Sequence, residues 1–386
     1  MHGQSILWGI SIMNPTLHLL GLPHTVTRPE FSHCAYSMKV MRFSPMLRSV
    51  GYNVIHYGNE GATSGANEQV NVLSKEEMEK YLGGYNPSGP KFVGDVADIA
   101  HPIYKEFNSR LHNILKDRVE PTDIICLPFG YGHQEAVQGL DATLLETGIG
   151  YPQTCTNFRI FESQVWYNWV IGRENKTGHD YNWVIPNYYN IAEWTVQKEK
   201  GKYLLFFGRI CEPKGMQIVL EIAKHRPDLT VVLCGQGDPI PYMKYDNIEY
   251  QRPVFGAERD ALLGNALAVI MPTRYVEPFG GVTVEANLTG TPVLGSSYGS
   301  FTETIDQGFT GYRCNTLGDW LAGIEQIEEW GPSHREYIAS VTRTKYDMYA
   351  LAHDYDNVIK QIVDLQGKGW YSFRSSIGPV TKAIAA

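Results

Sequence analysis

Several features that mark specialised protein classes are missing from this sequence. None of its six cysteines, Cys34, Cys126, Cys155, Cys211, Cys234 and Cys314, stands in a C-x-x-C pair. Several lie in apolar, strand-like runs, so they read as reduced core residues and not as disulfides or metal ligands. No stretch reaches the roughly 18 uncharged apolar residues that a membrane-spanning helix needs. The apolar run from Ile6 to Met13 has no Lys or Arg before it and no small-residue cleavage site after it, so it reads as a tail and not a secretion signal. Positive charge is in deficit: the formal net charge of −8 gives no general footprint for nucleic acid or an anionic membrane. Short-period repeats and low-complexity blocks are also lacking. The expected location is the cytoplasm, or at most the periphery of a membrane.

What is present is a soluble, globular composition, 43% hydrophobic and 19% charged, over 386 residues. That length exceeds what a single core usually supports, so two domains with a cleft between them are expected. In the first half, Leu17 to Leu22 reads as a buried strand, Cys34 to Val50 as a helix and Asn53 to Tyr57 as a strand. That order makes a βαβ unit, whose parallel strands require a crossover. Asp123 to Leu127 and Phe158 to Phe161 add two further buried strands. The second half repeats the alternation, with strands at Lys202–Phe207, Leu229–Cys234, Ala268–Met271 and Pro292–Leu294. Helices are expected at Met216–Lys224, Arg259–Gly264 and Gly281–Leu288. Two doubly wound parallel sheets follow. The segment from Val184-Ile-Pro-Asn187 to Gly201 is the expected hinge, and the chain beyond Glu325 reads as helices ending in a Gly-, Ser- and Pro-bearing tail.

Two segments carry chemistry. Gly208-Arg-Ile-Cys-Glu-Pro-Lys-Gly215 follows a strand and precedes a helix, placing a guanidinium and an ammonium five residues apart where open α/β sheets bind ligands. Arg209 and Lys214 could stabilise the charge that a nucleoside diphosphate gains as it departs. Taken alone, the pair could equally be surface charges. Glu277-Pro-Phe-Gly-Gly-Val-Thr-Val-Glu285 follows another buried strand, with two carboxylates separated by seven residues and the pair Gly280 and Gly281 between them. Glycines at a helix start leave backbone N–H groups open to phosphate or sugar oxygens. Glu285, two turns into the helix, could accept hydrogen bonds from a ribose diol. A single such carboxylate would read as a solvated helix residue; both segments in one sheet argue for a site.

Together these segments resemble the donor half of retaining GT-B glycosyltransferases, in particular glycosyltransferase family 4 (glycosyl transferases group 1). Val232-Leu-Cys-Gly-Gln-Gly237, with Gly235, is similar to that family's Gly-rich turn, and Thr302 to Gly311 to its late E-x4-G-x2-G element. The resemblance covers Val184 to about Asp319 and is weak before it. It implies an α/β, GT-B architecture of two Rossmann-like domains facing across a cleft: an acceptor-side domain over 1–190, a nucleotide-sugar domain over 191–365, and a tail over 366–386 that could return to the first domain. It also implies that Arg209 and Lys214 hold the diphosphate and that Glu277 contacts the sugar. Gly208, Gly235, Phe279, Gly280, Gly281 and Glu285 would line the donor, and a first-domain His would lie near the anomeric centre. His133 is the nearest candidate for that His, ahead of His112 and His101, although a loop histidine is as often structural.

The implied activity is retaining transfer of a hexosyl or pentosyl group from a nucleoside diphosphate sugar to an acceptor hydroxyl, with no metal and no cofactor beyond the donor itself. The acceptor could be a glycan, lipid, protein or modified nucleobase. Two rival readings are an epimerase or hydrolase of similar fold, and a noncatalytic nucleotide-sugar-binding protein. The second would be expected to have lost one of Arg209, Lys214, Glu277 and Glu285, and all four are present. Glu162 and Ser163 point toward the expected cleft or pack in the core. Asp354-Tyr-Asp356 has metal-binding spacing but sits in a helical stretch far from any strand end. Trp166, Tyr167 and Trp169 read as an aromatic helix packed on a sheet before they read as a sugar platform.

Overall fold

The computed structural model describes residues 14–31, 34–83, 99–175, 181–199 and 201–368, with side chains described as far as residue 365. The tail over 369–386 and the run Ile6 to Met13 lie outside the described residues. Seven parallel strands form the first sheet: β1 (Leu17–Leu20), β2 (Val54–Gly58), β3 (Glu68–Asn71), β4 (Ile124–Leu127), β5 (Thr143–Ile149), β6 (Phe158–Phe161) and β7 (Tyr181–Val184). Their spatial order is β3-β2-β1-β4-β5-β6-β7. The second sheet holds β8 (Tyr203–Phe207), β9 (Thr230–Cys234), β10 (Ile248–Gln251), β11 (Ala268–Met271), β12 (Val293–Ser296) and β13 (Gly311–Cys314), ordered β10-β9-β8-β11-β12-β13. Each sheet reverses direction once, between β1 and β4 and between β8 and β11. Those reversals open the crevices in which ligands of such folds bind.

Every residue of β1, β2, β4, β11 and β12 is buried, as strands covered on both faces must be. The covering helices of the first domain are α1 (Ala35–Ser49), α2 (Lys75–Leu82), α3 (Pro102–Lys116), α4 (Gln134–Val137) and α5 (Gln164–Glu174). Those of the second are α6 (Met216–His225), α7 (Gly256–Gly264), α8 (Gly281–Leu288), α9 (Phe301–Thr304), α10 (Leu317–Glu328) and α11 (Pro332–Tyr346). Two core clusters lie in the second domain, one holding α6 and α10 residues and the other Phe279, Val284 and Phe301.

The last helix, α12 (Met348–Lys368), returns to the first domain. Its Leu351, Ala352, Tyr355, Val358, Ile359 and Ile362 form an apolar stripe at helical spacing and join the first-domain core. Tyr355 meets Phe43 of α1 edge-on at 5.5 Å, and Tyr52 donates to Asp356 at 2.9 Å. The chain therefore crosses back at Asp347, not at the expected residue 366, because the amphipathic helix buries its apolar stripe against α1 and the first-domain core. Asp356 of the Asp-x-Asp string also accepts from Lys360, so it acts inside this packing. The two crossings are stitched together: Tyr189 N–H donates to Tyr346 O, and Met348 N–H donates to Tyr189 O, both at 2.9 Å.

Candidate active site

The second-domain reversal places the two charged segments side by side, because β8 and β11 are hydrogen-bonded neighbours. The chain leaving β8 passes Gly208 and the exposed Arg209, makes a 3-10 turn over Glu212–Lys214, and enters α6 through Gly215. Gly215 is left-handed (φ 81°), and a Cβ there would overlap the Pro272 carbonyl oxygen, so only glycine lets the turn press against the chain leaving β11. Gly235, at the end of β9, is held as closely against the Gly208 carbonyl. Lys214 thereby reaches Glu277: its Nζ donates to Oε2 at 2.7 Å and lies 4.9 Å from the ring centre of Tyr275. Both side chains are mostly sheltered, 14% and 12% exposed. Burial works against the Lys214 charge, but Glu277 and Tyr275 outweigh it and hold its pKa above the usual lysine value. The site therefore keeps a fixed ammonium.

Past Glu277, Gly280 takes the left-handed conformation (φ 72°) and starts α8 with no side-chain cap. A first turn without a cap carries the positive end of the helix dipole toward the crevice. Phe279 is buried against Tyr346, edge-on at 5.9 Å, and anchors this loop in the core. Glu285 is only 6% exposed and forms an ion pair with Arg259 of α7. Burial, with Arg42 close by, lowers the Arg259 pKa to about 10, so the guanidinium is still charged at neutral pH. Sequence reasoning missed Arg259: it stands in an ordinary amphipathic helix, and only the packing of α7 on α8 gives it a partner.

Across the cleft, the loops after β1 and β4 flank the first-domain reversal. His133 ends a 3-10 turn after β4, fully buried, with no hydrogen-bond partner at either ring nitrogen among the described residues. Burial, with His24 nearby, pushes its pKa down to about 3, so the ring is neutral. Its ring thus presents no exposed atom. Among the described residues of this pair of loops, the partly exposed histidine is His24, which sequence reasoning passed over and which hydrogen-bonds Tyr104 Oη at 2.8 Å. His101 caps α3 by accepting from Ile103 N–H, and His112 lies against the Ala136 carbonyl, so both serve the α3 surface.

Glu162, just after β6, is paired with Lys39 of α1 at 2.8 Å and also accepts from Asn187. It is a satisfied, buried carboxylate. Ser163 Oγ donates across the domain boundary to the Pro278 carbonyl at 2.6 Å. Trp166 and Trp169 stack on each other at 4.4 Å, and Tyr167 meets Phe161 edge-on, so the aromatic helix packs on its own sheet. All six cysteines are unbridged. Among the described residues, no group of three His, Cys, Asp or Glu side chains could hold a metal, and no helix is long and apolar enough to cross a membrane.

Two parallel-sheet domains with their reversals facing one crevice define a protein of the GT-B fold. The solved structure of AviGT4, a glycosyltransferase involved in avilamycin A biosynthesis, matches with a TM-score of 0.65 at 18% identity, covering 90% of this chain and 98% of that one. The sucrose-phosphate synthase of Thermosynechococcus elongatus matches with a TM-score of 0.67 at 13% identity, covering 90% and 99%. Anabaena HepE in complex with UDP and glucose gives 0.64 at 13%, covering 90% and 100%. Residues 190–343 match the family described as glycosyl transferases group 1. Among curated relatives, an uncharacterized glycosyltransferase of Methanocaldococcus jannaschii is 32% identical over 42% of this chain and 44% of its own length. The D-inositol 3-phosphate glycosyltransferase of Paenarthrobacter aurescens is 28% identical over 32% and 35%. The matched stretch thus spans less than half of either relative.

Proposed function

We propose that this protein is a retaining, family 4-type glycosyltransferase that moves a hexosyl or pentosyl group from a nucleoside diphosphate sugar to an acceptor hydroxyl. The observation that carries the reading is the Lys214–Glu277 pair at the β8/β11 reversal, next to the uncapped start of α8. A fixed cation, a helix N-terminus and a carboxylate in one crevice match the needs of a diphosphate attached to a polyhydroxylated ring. The matched group 1 family and the UDP and glucose bound by HepE support the same reading.

In the proposed step, the bond from the anomeric carbon to the diphosphate oxygen breaks as the acceptor oxygen bonds to that carbon on the same face. The departing phosphate oxygen takes the acceptor proton. Lys214 and Arg209 stabilise the charge growing on the diphosphate, assisted by the backbone near Gly280 and Gly281. Glu277 orients the sugar hydroxyls, and by pairing with Lys214 it keeps the ammonium aimed before the donor arrives. Glu285 and Arg259 form the wall against which the ribose is held, and Gly208, Gly235 and Phe279 shape the donor loops. His133 is the first-domain group proposed near the anomeric centre.

Because these groups balance the diphosphate charge, no metal or further cofactor is required, and transfer should persist in excess EDTA. Loss of activity that added manganese or magnesium restores would overturn that part of the reading. The donor is tested by a thermal-shift series of nucleoside diphosphates and their sugars, since ligand at about a hundred times its Kd adds about 2.7 kcal/mol of stability. No shift with any of them would refute donor binding. Transfer measured against donor hydrolysis then separates a transferase from a hydrolase. The proposed setting is the cytoplasm or the face of a membrane.

A further inference from the structure

The element that holds Glu277 is gripped at two points, one from the first domain and one from the crossing segment. Ser163 Oγ donates to the Pro278 carbonyl at 2.6 Å, and Tyr189 Oη, in the crossing segment, donates to the Gly281 carbonyl at 3.3 Å. A side chain at Gly281 would press on that phenol, since a Cβ would lie 2.9 Å from Tyr189 Oη. Close by, a second-domain carboxylate crosses the cleft. Glu303, in the short helix α9 after β12, accepts from Gln164 N–H at 3.0 Å with one oxygen and from Val165 N–H at 2.7 Å with the other.

Those two amides open α5, an eleven-residue helix whose third donor, Trp166 N–H, is satisfied by Ser163 itself. The first amides of a helix have no partner within it and carry the positive end of its dipole, so an anion placed on them is held by charge as well as by hydrogen bonds. The opening turn of a first-domain helix is thus capped by the other domain. The Glu303 backbone is itself steadied by Lys345, whose Nζ donates to its carbonyl at 2.8 Å. Ser163 serves both ends of the arrangement, capping α5 with its lone pair and holding Pro278 with its proton.

We propose that Glu303 and Ser163 are positioning residues for the transfer reaction: they latch the two domains across the cleft and thereby set the Glu277 to Gly281 element over the first domain. This rests on the transferase reading for its catalytic consequence, although the latch itself does not. With the latch closed, the donor sugar held by Glu277 faces the acceptor loops. With it open, the second domain binds donor as before, but the two substrates no longer meet.

The test compares full-length wild type with Glu303→Gln, Glu303→Asp, Ser163→Ala and Ser163→Thr, measuring transfer kinetics and the interdomain distance by small-angle scattering. In Glu303→Gln the carboxamide offers one acceptor and sets an NH2 against a backbone N–H. It should enlarge the radius of gyration and lower kcat by on the order of ten- to a hundredfold, with the donor KM little changed. Ser163→Ala should move both readouts in the same sense, and Ser163→Thr should restore them by keeping the hydroxyl. Glu303→Asp should fall between, keeping the charge but not the reach. An unchanged radius of gyration in Glu303→Gln would overturn the latch. An enlarged one with wild-type kcat would overturn the positioning role. Absence of any transfer by the wild type would count against the transferase reading alone, and the scattering comparison would still decide the latch.

Discussion

Arg209 and Lys214 carry the same charge in different surroundings. Arg209 is exposed at the end of β8, while Lys214 is sheltered beside Glu277, where a charge interacts more strongly for lack of water. Replacing either with alanine should slow transfer, by about 2–4 kcal/mol in the barrier for Lys214→Ala and by the lower end of that range for Arg209→Ala. Steady-state kinetics with wild-type turnover in both variants would remove these residues from the diphosphate site. The two glutamates should separate by kinetic signature. Glu277→Gln should lower kcat more than it alters donor affinity, because its carboxylate acts as charge develops on the sugar. Glu285→Gln should raise the donor KM while sparing kcat, and should also lower Tm, because it leaves the buried Arg259 without its counter-charge. Equal effects on KM alone in both variants would refute the division.

Elements with unbroken apolar runs were legible in the sequence, and those without were not. Lys202–Phe207, Leu229–Cys234 and Ala268–Met271 are β8, β9 and β11 to within a residue at each end. In contrast, β3 is an edge strand, Glu68-Gln-Val-Asn71, mostly exposed, so it has no apolar run to read. Likewise β5 carries Glu146 in its middle, a residue that argues against a buried strand. The fold accommodates it by aiming Tyr151 Oη, the Thr156 hydroxyl and two backbone N–H groups at its carboxylate. The turn into α6 provides a test at this scale. Gly215→Ala places a Cβ on the Pro272 carbonyl in a left-handed residue, and the conformational strain alone costs about 1–3 kcal/mol. Denaturant unfolding should show that loss, and kcat should fall with it because Lys214 is the preceding residue. A stable, fully active variant would show that the turn does not set Lys214.

At the scale of the molecule, α12 ties the end of the described chain to the first domain, so the two domains are joined by two adjacent crossings. A double connection restricts how far the domains can separate and suits a hinge that opens and closes. Tyr355, 1% exposed between Phe43 and Tyr188, is the anchor of that return. Tyr355→Ala should destabilise the first domain by about 3–5 kcal/mol, as large-to-small changes of buried aromatics do. Donor-induced stabilisation of the second domain should survive. Calorimetry resolving a single unchanged transition would contradict that assignment.

The sequence by itself determined the alternation of strands and helices, the two doubly wound sheets, and the residue types at the ends of β8 and β11. All of these depend on local pattern: apolar runs, helical spacing, and glycines where a chain must turn. Which carboxylate meets which cation was decided by tertiary structure. Lys214 and Glu277 are 63 positions apart and meet because β8 and β11 are neighbours at a reversal. Glu285 is paired because α7 packs on α8, His133 is buried by the loops around it, and Glu303 finds its donors in a helix of the other domain. Local pattern carries no information about such partners, because a side chain's charge and burial in the fold depend on residues distant in the chain.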